Sequence, residues 1–194
     1  MPAPVQPGPH AGPRQAVSQP SDGTEPQGDW ACTGYRPWKY IVIHHSSTPG
    51  GSAASFDLYH RSRGFDELGY HFVVTNGNGG PDGAVEAGRR WRLQKWGSHT
   101  ATKSGNEYNN LGIGICVVGD FNASMPTARQ LASLTRLVAW LSRAYSISPE
   151  NVIGHRDAPG AATDCPGDRL HAYVHGVLRG ELPSLASSGS QARH

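Results

Sequence analysis

The sequence predicts an α/β fold: a single domain with a central mixed β-sheet flanked by α-helices. Three observations carry that expectation. The run Leu111-Gly112-Ile113-Gly114-Ile115-Cys116-Val117-Val118 is apolar at nearly every position, as in a central strand covered on both faces. Leu131, Leu134, Leu137, Val138, Leu141 and Tyr145 form one helical stripe, and Thr127 with Gln130 makes a capping box at its start. Strand-like and helix-like stretches alternate along the chain, which favours one shared sheet.

The elements follow in order. Residues 1–29 are rich in Pro, Gly, Gln and Ser without periodicity and read as a disordered leader; residues 30–182 read as the domain and 183–194 as a flexible tail. The aromatic segment from Trp30 to Tyr40 anchors the leader to the domain. Lys39 to His44 is a strand, and the breakers from Ser46 to Gly51 form a loop. Ser52 to Arg63 reads as a helix stopped by Gly64. Leu68 to Val74 reads as a strand, with a short return strand at Ala84-Val85-Glu86. Trp91 to Thr100 reads as a loop with aromatic content beside a cleft. After the central strand and the long helix, Val152-Ile153 is a short strand and Asp168 to Leu178 a last helix.

Composition excludes several classes. The 194 residues, 37% hydrophobic, suffice for one core of ordinary size. The net charge is only +2 and the 17 basic residues are scattered, so the basic stripe of a nucleic-acid binder is missing. No apolar stretch approaches the roughly 18 residues that span a bilayer, and no apolar core of a secretory signal is visible. The expectation is a monomer without a membrane span. Three cysteines, Cys32, Cys116 and Cys165, are too few for a disulfide framework; Cys32 and Cys116 could form one bridge, but Cys116 inside an apolar run reads rather as a buried free thiol.

The chemistry concentrates in Gly154-His155-Arg156-Asp157 and Asp164-Cys165-Pro166-Gly167, which bring an imidazole and a thiolate together across a short loop. Both are zinc donors, and a hydrolytic zinc takes three protein ligands with the fourth position open. His44, at the tip of the apolar strand, is the best third candidate. His45 points to the opposite face of that strand. His171 and His175 are spaced i, i+4 but lack the Glu of a His-Glu-x-x-His motif, since residue 172 is Ala, and they read as exposed. Asp157 and Asp164 suit loop-capping or orientation of a ligand imidazole.

Five blocks together carry a family resemblance: Ile43-His44-His45-Ser46, Gly69-Tyr70-His71-Phe72, Val85-Glu86-Ala87-Gly88-Arg89, the run from Gly97-Ser98-His99 through Ile113-Gly114-Ile115-Cys116 to Gly119, and Gly154-His155-Arg156 with Cys165-Pro166-Gly167. The chain resembles the amidase-type phage lysozymes and peptidoglycan recognition proteins, zinc-dependent N-acetylmuramoyl-L-alanine amidases. That resemblance implies one Zn2+ per chain on His44, His155 and Cys165. It implies a catalytic Tyr70, with Thr163 at a second catalytic position that is Lys in some phage enzymes. It implies peptidoglycan as the partner and cleavage of the bond between N-acetylmuramic acid and L-alanine. His99, Trp96 and Arg156 are the candidate substrate contacts. The cytosolic recycling amidases, more distant relatives, carry Glu and Asp where this chain has Cys116 and Cys165. The alternatives are a binding-only recognition module, and less so a zinc peptidase acting within the stem peptide. The expected site of action is the bacterial envelope, periplasmic or extracellular, with a phage-type cytoplasmic endolysin as the other possibility.

Overall fold

A computed structural model describes residues 30–182 except residue 104, so the expected leader and tail lie outside the described residues. Five strands form one mixed sheet in the order β3-β2-β4-β1-β5: β1 (Tyr40–His45), β2 (Phe72–Val74), β3 (Val85–Ala87), β4 (Gly112–Val117) and β5 (Val152–Gly154). All neighbours are parallel except the β2–β3 pair. The helices are α1 (Ala53–Ser62), the short α2 (Arg89–Arg92) and α3 (Glu107–Leu111), the long α4 (Ala128–Tyr145), and α5 (Asp168–Gly176).

The two faces of the sheet are covered unequally, and period-2 alternation along the strands decides what each receives. Ile41 and Ile43 of β1, with Ile113, Ile115 and Val117 of β4, join Leu134, Leu137, Leu141, Leu170 and Val174 from α4 and α5 in the main core. The opposite face holds only small clusters: Val73 and Cys116 with Leu68 and Val118, and Val42 with Ile153 and Ala158. His44 alternates with Ile43 and pairs in register with Cys116, so it belongs to this thinner face. The His44 imidazole thus sits on a rigid strand without interrupting the main core.

Local signals account for most element ends. The Thr127–Gln130 capping box is formed in both directions, and Ser52 caps α1 through an equivalent box with Ser55. The structure corrects two expectations. The strand expected from Leu68 begins only at Phe72, because earlier backbone amides are claimed from elsewhere. Leu68 N–H donates to Asp57 Oδ1 at 2.6 Å and Gly69 N–H to His60 Nδ1 at 3.0 Å. The loop expected from Trp91 begins instead inside α2. Trp91 is fully buried against Phe72, Trp140 and Tyr145, with its Nε1–H donating to Trp30 O at 2.9 Å, so it belongs to the core and not to a cleft wall. All three cysteines are free.

Candidate metal centre

β1 and β5 run parallel with Ile43 opposite Gly154, so the next residue of each, His44 and His155, emerges at the same carboxyl edge of the sheet. That edge is where open α/β sheets build their sites. The two imidazole centroids are 4.7 Å apart. Cys165 arrives from the loop after β5, with Sγ 3.6 Å from His44 Nδ1, and one donor atom from each of the three residues lies within 4.8 Å of the others. Arg156 holds the cysteine loop in place. Its backbone N–H donates to Cys165 O at 2.8 Å, and its guanidinium donates to Asp164 O and to Asp168 Oδ1, the latter at 2.6 Å. His45 N–H donates to Cys165 Sγ at 3.4 Å.

The electrostatics prepare the two imidazoles to donate lone pairs. Burial, reinforced by the neighbouring His99 and His155, holds His44 well below the ordinary histidine value, and burial also lowers His155. Both imidazoles are therefore neutral at pH 7. Burial pushes the Cys165 thiol up to about 12, so in the metal-free chain it keeps its proton. His155 Nε2 is buried without a hydrogen-bond partner, an unfavourable state for a polar atom unless something accepts its lone pair. A divalent ion would do so. Two imidazole nitrogens and one thiolate suit zinc with a fourth position left open, so the residues fit that metal.

Behind His44 lies His99. His44 Nε2 is 3.1 Å from His99 Nδ1, which also meets Thr100 Oγ1 at 2.8 Å, while His99 Nε2 reaches Gly112 O at 3.3 Å. One tautomer pattern fits the three contacts: His99 Nε2–H donates to the carbonyl, and the single Nδ1 lone pair of His99 is shared between Thr100 Oγ1–H and His44 Nε2–H. The Nδ1 lone pair of His44 is then left facing Cys165. His99 is only 8% exposed, a position better suited to orienting His44 than to meeting a polymer.

Tyr70 packs beside the centre, its ring 5.2 Å from that of His44. Burial, with the neighbouring Cys116 and Cys165 thiols reinforcing it, raises its phenol well above 10, so Tyr70 is a proton donor at neutral pH. A cavity of about 380 Å³ opens at Tyr70, lined by Ser46, Thr48, Phe56, Tyr59 and His60. A second, of about 440 Å³, lies away from the donors beside Trp30 and Arg129. The cavity walls from α1 were not expected from the sequence, although Phe56, Tyr59 and His60, gathered on one side of a short helix that directly follows the His44 loop, are a signal that could have found them. Thr163 is half-buried, its Oγ1 accepting from Cys165 N–H at 3.2 Å. Trp96 is 54% exposed. Of the two histidines expected to be exposed, His175 is exposed and His171 is half-buried, and both rings meet Asp157.

Residues 34–168 match a family model described as N-acetylmuramoyl-L-alanine amidase. An N-acetylmuramoyl-L-alanine amidase of Sus scrofa is 30% identical over 167 residues, covering 75% of this chain and 25% of that protein. The chain thus spans about a quarter of that relative's length. Among solved structures, N-acetylmuramoyl-L-alanine amidase LysC from Clostridium intestinale URNW aligns with a TM-score of 0.57 at 27% identity, covering 72% of this chain and 89% of that one. The ectodomain complex of peptidoglycan recognition proteins LCa and LCx, with tracheal cytotoxin bound, aligns with a TM-score of 0.58 at 29% identity, covering 73% and 82%. The matched segment starts ahead of β1, ends in α5 and contains His44, His155 and Cys165, which could hold a metal ion, and on this match the chain belongs to the N-acetylmuramoyl-L-alanine amidase (Amidase_2) family.

Proposed function

We propose that this chain is a zinc-dependent hydrolase that cuts the amide bond between N-acetylmuramic acid and L-alanine in peptidoglycan. The observation that carries the proposal is the convergence of His44, His155 and Cys165, with the orphaned His155 Nε2 among them. One Zn2+ per chain, held by these residues, supplies Lewis acidity toward the amide carbonyl and an acidified water.

The rest of the chemistry falls to the protein's own groups. His99 fixes the tautomer of His44 and so keeps its Nδ1 free to bind. Tyr70 keeps its proton through the working range and donates a hydrogen bond to the carbonyl oxygen as that oxygen gains negative charge. The Thr163 hydroxyl accepts from Cys165 N–H, which leaves its own hydrogen to donate to the same oxygen. The cavity at Tyr70 takes the muropeptide against Phe56 and Tyr59, with Ser46 and Thr48 as polar contacts. The exposed Trp96 offers a stacking face for sugar or stem. Arg156 serves the substrate indirectly, through the cysteine loop.

A binding-only recognition module is the second reading, favoured by the likeness to recognition proteins bound to tracheal cytotoxin. Retention of all three donors and Tyr70 supports catalysis over binding alone. Among the described residues no helix is long and apolar enough to cross a membrane. The test is digestion of purified cell walls by the zinc-loaded chain, followed by mass spectrometry of the soluble products. Hydrolysis at the proposed bond releases stem peptides with free L-alanine amino termini and leaves sugars free of alanine. Binding without release supports the recognition reading, and cuts within the stem support a peptidase.

A further inference from the structure

A second cluster of donors lies outside the centre described above. His171 and His175 stand one turn apart on α5, their ring centroids 4.3 Å from each other. Both present Nε2 to one carboxylate: His171 Nε2 is 2.7 Å from Asp157 Oδ1 and His175 Nε2 is 2.9 Å from Asp157 Oδ2. One donor atom from each residue falls within 4.8 Å of the other two, as in the His44 cluster. We propose that Asp157, His171 and His175 form a second, weaker and exchangeable site for a divalent transition-metal ion.

The donor set decides the class of ion. Two imidazoles and one carboxylate suit zinc, cobalt, nickel or copper, whereas magnesium and calcium select oxygen ligands. In the metal-free chain both imidazoles donate Nε2–H to Asp157. On binding, each ring carries its hydrogen on Nδ1 instead, exchanged through solvent, and the ion takes the place of the two Nε2 hydrogens. Metal–ligand distances of about 2.0–2.1 Å set the donor–donor edge of a tetrahedral site at about 3.3 Å, so the two rings, which meet different oxygens of Asp157, shift until both face the one oxygen that ligates the ion. The rings can do this, being 27% and 35% exposed on the helix surface. Asp157 stays anchored by Gly154 N–H, which donates to Oδ2 at 2.8 Å. The remaining metal positions face solvent, which makes the ion exchangeable.

Arg179 opposes binding. Its Nη1–H donates to His175 Nδ1 at 2.9 Å, so that ring cannot carry a hydrogen there until the contact opens. Its charge also repels a cation. The site therefore has two groups whose removal weakens binding and one whose removal strengthens it.

The test uses the untagged full chain, loaded with one equivalent of zinc and titrated with Co2+, which does not displace zinc by intrinsic affinity. Calorimetry is expected to show one further equivalent bound, with visible cobalt bands and without the near-ultraviolet thiolate charge-transfer band of a cysteine-ligated ion. His171→Ala and His175→Ala should each weaken this binding on the order of tenfold to a hundredfold or more. Arg179→Gln should tighten it, a gain that misfolding cannot produce. No second equivalent overturns the assignment, as does a thiolate band, or cobalt affinity unchanged in both His171→Ala and Arg179→Gln. None of these readouts depends on amidase activity, so the result stands apart from the proposed function.

Discussion

Gly114→Ala tests whether the tautomer of His44 is set from behind. Gly114 lies on β4 beneath the His99 ring, and a Cβ there would stand 2.4 Å from His99 Cδ2, 2.5 Å from Cγ and 2.7 Å from Nε2. Ordinary carbon contacts begin near 3.5 Å, so the ring must retreat from the sheet by about 1 Å. His44 stays on the sheet. A contact that is 3.1 Å at rest then passes out of hydrogen-bond range, and His44 loses the acceptor that holds its Nε2–H. Loss of such an orienting partner lowers metal affinity by about tenfold to a hundredfold, and forcing a methyl into a packed core destabilises by about 1–3 kcal/mol. Competition against a zinc chelator measures the first effect and thermal unfolding of the metal-free chain the second. His99→Phe, which keeps an aromatic ring of somewhat larger size but removes the acceptor, should reproduce the affinity loss. Wild-type zinc affinity in both variants would refute the reasoning and leave His99 as packing.

Two further outcomes follow from the same geometry. Tyr70→Phe should retain zinc and wall binding but lose on the order of a hundredfold to a thousandfold in turnover, since it removes one aimed donor and no ligand; an undiminished rate would show that Tyr70 only packs. Glu67→Gln should flatten the acid limb of stability, followed as Tm against pH. Burial pushes this carboxyl up, yet hydrogen bonds from Lys95 and Arg89 pull it below its ordinary 4.5. Its contribution is therefore present above pH 4.5 and lost as pH falls through the folded value. An identical acid limb in the variant would contradict that assignment.

What was legible in the sequence was what local pattern encodes. The apolar run of β4, the stripe and capping box of α4, and the alternation that separates His44 from His45 all depend on residues within a few positions of each other. The donors His44, His155 and Cys165 were legible because residue chemistry and the order of the five blocks coincide. What escaped depends on partners distant in the chain. Leu68 to His71 looks like strand, but Asp57 and His60 of α1 take its first amides. Trp91 sits in a four-residue helix flanked by arginines, too short to show a period, and only the folded core reveals that it is buried. His171 and His175 look solvated until Asp157, 14 and 18 residues away, is placed between them. His99 likewise gains its position behind His44 only when β1 and β4 pair.

The central claim is that His44, His155 and Cys165 hold a zinc ion with one open coordination position. Zinc K-edge X-ray absorption on the full chain at one equivalent of zinc tests it directly. The account predicts one sulfur at about 2.3 Å and two imidazole nitrogens at about 2.0–2.1 Å, with one further light atom from solvent. The sulfur signal should vanish in Cys165→Ser. A first shell without sulfur in the wild-type chain, or one closed by two sulfurs, would contradict it.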